Sequence, residues 1–90
     1  MFAYKHDDVL LPCHVIPTTA TNITWLKRSH GQRYNANGGI LQNVRHRISI
    51  NNPAVGDYSL KIEDVQLSDD GDYECFDQQQ LLAYVLLYIG

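Results

Sequence analysis

Two cysteines limit what this chain can fold into more than any other feature. Cys13 and Cys75 are the only two among 90 residues, and an even count in a short chain fits a structural disulfide in an oxidising compartment better than a cytosolic redox pair. A bridge that closes so long a loop would remove roughly 4 kcal/mol of unfolded-state entropy, which is a large share of a small domain's stability. We therefore expect a single domain, residues 1–90, stabilised by a Cys13–Cys75 disulfide.

Apolar residues alternate along the chain with a period of two and do not recur at helical spacing. Residues 9–15 carry an apolar side chain at every second position, and residues 23–27 repeat the pattern around Trp25, which is thereby predicted to point inward. Short segments of the same kind follow at 47–50, 58–62 and 73–76, with turn-forming residues between them. This arrangement indicates an all-β, antiparallel β-sandwich of two sheets.

Composition and charge argue against several functions. The net charge of −3 gives no field that would attract nucleic acid or an anionic membrane. The four histidines, His6, His14, His30 and His46, lack the spacing of metal ligands, and the sequence contains no glycine-rich phosphate motif. We expect no enzyme activity, cofactor, metal or small-molecule substrate, with a metal site assembled from His14, His30 or His46 as the alternative.

No targeting segment is visible in the sequence. The first residues, Met-Phe-Ala-Tyr, lack the basic start and apolar stretch of a secretory leader, so we expect that a leader has been removed. The longest apolar run, residues 81–89, is too short to span a bilayer and contains two tyrosines. We expect this run to be a strand, and any membrane anchor to lie outside this chain, as in the ectodomain of a type I membrane protein.

The spacing of Cys13, Trp25 and the segment Asp-Asp-Gly-Asp-Tyr-Glu-Cys at residues 69–75 resembles the signature of the immunoglobulin superfamily over essentially the whole chain. The resemblance implies that the two cysteines lie on facing strands of two sheets and that Trp25 packs over their bridge. It also implies that Tyr73 forms a tyrosine corner by hydrogen-bonding to the chain upstream. Gly71 would give that corner room to turn.

Within the superfamily the chain is similar to V-set domains. Arg47, at a strand start, is placed like the family arginine that pairs with an aspartate, here Asp69. Residues 56–69 resemble the corresponding part of butyrophilins, myelin oligodendrocyte glycoprotein, T-cell costimulatory ligands and junctional adhesion receptors. The resemblance does not distinguish among these proteins. The Gly-x-Gly bulge of antibodies and T-cell receptors is missing from residues 83–90. Only twelve residues precede Cys13, so the first strand must be short or trimmed, and an I-set domain is the alternative.

The last strand is apolar on both faces, and only one face can join the core. By the inward parity of Cys75 we expect Val85, Leu87 and Ile89 to point inward. The other set would point outward beside side chains of neighbouring strands, and an exposed apolar patch rimmed by charge usually marks an interface. The predicted partner-binding residues are Leu26, Arg28, Arg33, Tyr34, Phe76, Leu82, Tyr84, Leu86 and Tyr88.

The sequence Asn22-Ile23-Thr24 is an acceptor for N-glycosylation. The strand alternation places Asn22 on the same side as Leu26, so a glycan on this residue would border the predicted patch.

The resemblance implies recognition at the cell surface by an immune-type or adhesion receptor. The partner would be another immunoglobulin-like domain, either an identical copy or a counter-receptor, bound through the sheet of strands G, F, C and C′. One alternative is a structural spacer of an adhesion protein, in which a neighbouring domain or another part of the chain covers the patch. A second alternative is a soluble pathogen-binding protein.

Overall fold

Two β-sheets face each other in the structure, a computed structural model that describes residues 1–15, 23–28, 32–35 and 47–90, with the backbone alone for 32–35. The strands are β1 Phe2–Ala3, β2 Val9–Leu11, β3 Ile23–Lys27, β4 Gln32–Asn35, β5 Ile48–Asn52, β6 Asp57–Ile62, β7 Gly71–Asp77 and β8 Gln80–Ile89. The five-stranded sheet has the order β1-β8-β7-β3-β4, in which β1 and β8 are parallel, and the three-stranded sheet has the order β2-β6-β5. The predicted all-β sandwich is confirmed, and β8, β7, β3 and β4 correspond to strands G, F, C and C′.

The core lies between the sheets, where the inward side chains of both meet. Leu11, Leu60 and Ile62 of the smaller sheet are fully buried, as are Trp25 and Tyr73 of the larger one. Each of these residues follows the two-residue alternation that the sequence predicts. At about 25 cal/mol for each Å² of apolar surface removed from water, this burial is the main stabilising contribution to a domain of this size.

A disulfide joins Cys13 to Cys75 across the two sheets, with 6.5 Å between their Cα atoms, and the prediction of this bridge is confirmed. Trp25 is paired with Cys75 in the register of β3 and β7, so both side chains enter the core from the same sheet face. The indole Nε1 of Trp25 donates a hydrogen bond of 2.7 Å to the carbonyl of Tyr58 in the opposite sheet. A buried indole N–H without such an acceptor would be unfavourable.

The first strand is only two residues long. It pairs in parallel with β8, with Phe2 opposite Tyr88 and Ala3 opposite Ile89. The chain then turns at His6, whose φ of 77° lies in the left-handed region, and enters the smaller sheet as β2. Because β1 pairs with one side of β8, the last strand is not a sheet edge at Tyr88 and Ile89.

One end of the sandwich contains the predicted tyrosine corner and ion pair. The hydroxyl of Tyr73 donates to the carbonyl of Asp69 at 2.5 Å, and Gly71 adopts a φ of 139° that favours glycine. The guanidinium of Arg47 donates to both carboxylate oxygens of Asp69, at 2.8 and 3.3 Å. The Asp69 carboxylate also accepts the backbone N–H of Gln66 at 2.7 Å. Both charged groups are largely buried, so each would be an uncompensated buried charge without the other.

The same end buries a lysine inside the sandwich. Lys27 is almost completely buried, and its ammonium group donates to the carbonyl of Ser68 and lies 5.6 Å from the centre of the Tyr73 ring. Burial lowers the pKa of Lys27, while the negative charges of Asp69 and Asp70 act in the opposite direction. The alternation of β3 places Lys27 inward. The contacts of its ammonium group with the Ser68 carbonyl and the Tyr73 ring compensate for the hydration that this group loses on burial.

Replacing Asp69 with Ala should lower the free energy of unfolding by about 3 kcal/mol, because the Arg47 guanidinium would stay buried without its acid. Chemical denaturation followed by tryptophan fluorescence measures the change. The matched control is Glu63→Ala, which removes an exposed carboxylate 3.4 Å from Lys61 and should change the stability by less than about 0.5 kcal/mol. Equal effects of the two substitutions would contradict the proposed role of the Arg47–Asp69 pair.

A second carboxylate organises the turn between β5 and β6. Asp57 accepts the backbone N–H of Ser59 at 3.1 Å and the side-chain amide of Asn51 at 2.6 Å, and His14 Nε2 lies 3.3 Å away. Side-chain hydrogen bonds from Ser59 and Asn51, with a smaller contribution from the Ser59 backbone N–H, lower the pKa of Asp57, since they favour the ionised carboxylate.

Because the folded-state pKa of Asp57 lies below the unfolded value, its contribution to stability is present above the ordinary aspartate range, about pH 4, and is lost as the pH falls through the folded pKa. We expect Asp57→Asn to be less stable than the wild type at about pH 5 to 6, and the difference to shrink as the pH approaches about 2. Denaturation curves at several pH values measure it. A difference in the free energy of unfolding that stays constant over that pH range would contradict a lowered pKa of Asp57.

Candidate functional site: the outer face of the larger sheet

The outer face of the five-stranded sheet is built from cross-strand rows of residues. In one row, β3, β7 and β8 contribute Leu26, Glu74 and Tyr84, which are paired in register. The next row contains Thr24, Phe76 and Leu81. Because paired residues of an antiparallel sheet point to the same side, these side chains share the surface that faces away from the core.

Strand β8 carries most of the exposed apolar area of this face. Tyr84 and Tyr88 are 54% and 56% exposed, whereas Leu87, of the opposite parity, is 1% exposed. Val85 and Ile89 are partly buried and pack against the core. The predicted inward and outward sets of the last strand therefore have the parity that we inferred from Cys75.

A bulge near the start of β8 adds a residue to this face. Cys75 is paired with Ala83 and Phe76 with Leu81, so Leu82 is an extra residue in the register. Both Leu81 and Leu82 are exposed. Strict alternation assigned only Leu82 to the outer face and missed Leu81. The Leu81-Leu82 doublet directly after the glutamine-rich turn was the available signal for an interrupted alternation.

The face also extends across β1, a strand that was missing from the predicted partner-binding set. Phe2 is paired with Tyr88 and is 60% exposed. Its ring packs edge-on against Tyr4, with 5.2 Å between the ring centres, and lies so close to Gly90 that a Cβ there would be 2.6 Å from the Phe2 ring. The spacing of Phe2, Ala3 and Tyr4 is an alternation around a buried alanine and was the signal for this strand.

These side chains form what we call the apolar patch, in which Leu26 and Phe76 are half-buried and the other members are exposed. Its members are Phe2, Leu26, Phe76, Leu81, Leu82, Tyr84, Leu86 and Tyr88.

A charged pair lies within this patch. Glu74 is only 8% exposed, although it belongs to the outer face and has Leu26 and Tyr84 on either side in register. Arg28 Nε lies 2.8 Å from Glu74 Oε1, and the Arg28 side chain is 61% exposed. The approach is not aligned as a hydrogen bond, so that Oε1 is a buried oxygen without a hydrogen-bond donor among the described residues. The strand alternation places Glu74 outward but gave no reason to count it as a site residue.

Two predicted site residues lie on β4, for which the backbone alone is described. Arg33 is paired with Leu26, at an outer-face position of the register, whereas Tyr34 is paired with Trp25, whose side chain is buried. The register therefore gives Arg33 and Tyr34 opposite parities, although the prediction assigned both to one surface. Asn22, His30 and His46 lie outside the described residues.

The sequence profile of the immunoglobulin V-set domain matches residues 1–81. This chain belongs to the immunoglobulin V-set family. The first immunoglobulin domain of the mouse polymeric immunoglobulin receptor is a similar solved structure, with 21% identity, a TM-score of 0.79, and coverage of 100% of this chain and 88% of that chain. V-set domains are binding modules, and those with this disulfide are typically extracellular.

Two further solved structures with this fold come from pairs of immunoglobulin domains. A chain from the complex of Dpr1 IG1 with DIP-eta IG1 is 23% identical, with a TM-score of 0.80 and coverage of 100% of this chain and 87% of that chain. The ZIG-8 IG1 homodimer gives 19% identity and a TM-score of 0.77, with coverage of 100% of this chain and 77% of that chain. At these identities the likeness shows a shared fold.

Other kinds of site have little support in the described part of this V-set domain. No group of three histidine, cysteine, aspartate or glutamate side chains is placed to hold a metal ion there. A depression lined by residues 77–80 at the β7–β8 turn is shallow and open to solvent. None of the described segments forms a helix with the length and apolarity that crossing a membrane requires.

Tyr84→Ser and Tyr88→Ser should each change the free energy of unfolding by less than about 0.5 kcal/mol, because both side chains are exposed on the outer face. Leu87→Ala on the same strand should lower it by about 2 to 5 kcal/mol, because it leaves a cavity in the core. Thermal or chemical denaturation of the three variants tests the parity of β8. Unfolding of a tyrosine variant would show that the side chain belongs to the core.

Proposed function

We propose that this V-set domain is an extracellular recognition module that binds another immunoglobulin-like domain through the apolar patch on the outer face of the larger sheet. The observation that carries the proposal is the exposure of tyrosines and leucines on adjacent strands of one surface. Soluble proteins seldom leave a contiguous apolar patch uncovered unless it is an interaction site. Aromatic residues suit an interface centre because they bury a large area with few rotatable bonds.

The structural neighbours support this kind of partner. Dpr1 IG1 is bound to DIP-eta IG1, ZIG-8 IG1 is paired with RIG-5 IG1 in a heterodimer, and ZIG-8 IG1 also forms a homodimer. Domains of this fold therefore pair both with different immunoglobulin domains and with identical ones. Both modes agree with the proposal that the partner of this chain is itself an immunoglobulin-like domain.

The cellular setting that we propose is the ectodomain of a type I membrane protein, an immune-type or adhesion receptor with its anchor outside this chain. The Cys13–Cys75 disulfide supports an oxidising compartment. The Asn22-Ile23-Thr24 acceptor supports a glycoprotein, since a used N-glycosylation sequence belongs to the secretory pathway.

An architectural spacer explains the outer face less well. A spacer has no use for a surface on which Tyr84, Leu86 and Tyr88 are all exposed. On the outer face of the smaller sheet, one exposed apolar residue, Leu10, stands in a row with Lys61 and Ser49, so that face has the more polar character expected for such a domain. The difference between the two faces favours recognition through the larger sheet.

Tyr84→Ser should weaken association by about 2 kcal/mol, roughly thirtyfold in Kd, because truncating a central aromatic anchor typically costs that much. Sedimentation equilibrium over a range of concentrations measures self-association, and binding of a tetramerised domain to cells measures counter-receptor binding. The matched control is Leu10→Ser, which removes an exposed apolar side chain from the smaller sheet. If Tyr84→Ser remains folded and both kinds of binding are unchanged, this face is not the interface.

A further inference from the structure

The bend that leads from β1 into the smaller sheet has an unfavourable backbone conformation. The N–H of Asp7 donates to the carbonyl of Tyr4 at 3.0 Å and closes a β-turn in which His6 occupies the third position. The φ of His6 is 77°, and a positive φ at that position is typical of a type II turn, which favours glycine or asparagine there. A histidine in this conformation is strained, and it persists only where other contacts compensate for the strain.

A side-chain contact between the bend and the loop after β6 provides such compensation. His6 Nδ1 lies 2.5 Å from Oδ1 of Asp64, and Asp64 itself has a φ of 51°. Of the three residues other than glycine that have a positive φ in the described part of the chain, two are therefore in contact with each other. Backbone strain of this kind is characteristic of binding sites and of switch regions.

Strand β1 is held lightly, so a weak contact is enough to influence its docking. Among residues 1–8 only Ala3 is buried. The backbone hydrogen bonds that join β1 to β8 include those from the N–H of Tyr88 to the carbonyl of Met1 at 3.0 Å and from the N–H of Gly90 to the carbonyl of Ala3 at 2.8 Å. An element with little buried apolar surface and few hydrogen bonds opens at a low cost in free energy.

His6 is the hinge between β1 and an anchored part of the bend. Asp7 is anchored because its carbonyl accepts the N–H of Val65 at 2.9 Å, and Asp8 because its carboxylate accepts the N–H of Asp64 at 2.9 Å. Relaxation of His6 to a negative φ would turn β1 away from β8. The hydrogen bond of 2.8 Å from the His6 N–H to the Val65 carbonyl and the imidazole contact with Asp64 both oppose that relaxation, and of these two the imidazole contact depends on pH.

The imidazole contact depends on pH because both of its groups ionise. Histidine side chains are protonated below about pH 6.5 and aspartates are ionised above about pH 4. A hydrogen bond from an imidazolium to a carboxylate is stronger than one from a neutral imidazole. The Arg47 guanidinium donates to the carbonyls of Glu63 and Asp64, at 3.4 and 3.3 Å. The titratable and charged groups around the contact, besides His6 and Asp64, are Tyr4, Lys5, Asp7, Asp8, Arg47 and Glu63.

We propose that His6 and Asp64 form a pH-sensitive clasp, which holds β1 on β8 while the imidazole is charged and allows β1 to open more often once the imidazole is neutral. The inference goes beyond the proposed function, because it concerns a conformational equilibrium of the domain alone. Opening of β1 frees backbone groups of β8 and turns the end of that strand into a sheet edge that another strand can pair with. Opening also removes Phe2 from the apolar patch.

Hydrogen exchange at the amides of Tyr88 and Gly90 measures the opening of β1, because both N–H groups bond to carbonyls of the segment that opens. Protection factors, which are corrected for the intrinsic exchange rate, should be about twofold to fivefold higher in the wild type at about pH 5.5 than at about pH 8, the range expected for an exposed ion pair. His6→Asn and Asp64→Asn remove the ion pair but retain residues that tolerate a positive φ. Each variant should give the same protection at both pH values.

Two controls separate the clasp from other effects of pH. The N–H of Tyr58 bonds to the carbonyl of Cys13 at 2.8 Å, so its protection reports opening of the sandwich, and it should not follow the change at β1. His14→Asn is the matched variant, because it removes an exposed histidine that lies 3.3 Å from Asp57 at the start of β6. This variant should keep the pH dependence of the wild type at the amides that bond to β1.

The double variant of His6→Asn with Asp64→Asn should lose no more protection than either single variant, because the two side chains act through one contact. The inference is overturned if the wild-type protection of Tyr88 and Gly90 is the same at both pH values, or if the single variants keep the difference. An equal change at the Tyr58 amide would also overturn it, because the effect would then belong to the whole sandwich.

Discussion

The disulfide between Cys13 and Cys75 is the constraint on which the rest of this structure depends, because it determines which side of each sheet is the inner one. Once Cys75 points inward on β7, the register with β3 and β8 determines the direction of Trp25 and Ala83. Every second side chain along each strand of the larger sheet then points to the outer face. The bridge and the apolar patch are thus two consequences of the same strand parity.

That dependence explains which parts of the structure were predictable from the sequence. The sandwich, the bridge and the outward set of β8 require only a two-residue period and an inward cysteine, and these predictions agree with the structure. Leu81 was missed because a bulge changes the parity of one residue, and the bulge depends on how β7 and β8 pair. Phe2 was missed because its place beside Tyr88 results from a parallel pairing between the two ends of the chain. The alternation around Ala3 indicates a short strand, but it does not show that this strand pairs with β8.

The burial of Glu74 was unpredictable for a different reason. Alternation gives the direction of a side chain but not its exposure, which depends on the size of neighbouring side chains on other strands. Glu74 has Leu26 and Tyr84 beside it in register and Arg28 in contact, and only the three-dimensional arrangement shows how far these neighbours bury its carboxylate. The Asp69 carboxylate, by contrast, was predictable because a family pattern names its partner.

The two arginine–carboxylate pairs of this domain differ in burial and in hydrogen-bond geometry. Arg47 donates to both oxygens of Asp69, and the carboxylate also accepts a backbone N–H, so the buried charges are compensated within the chain. Arg28 approaches Glu74 without hydrogen-bond alignment and remains largely exposed. The Arg47–Asp69 pair therefore stabilises one end of the sandwich, because each buried charge compensates the other. The Arg28–Glu74 pair joins a buried carboxylate to an exposed guanidinium, so it places one positive charge at the surface of the outer face, beside the apolar patch.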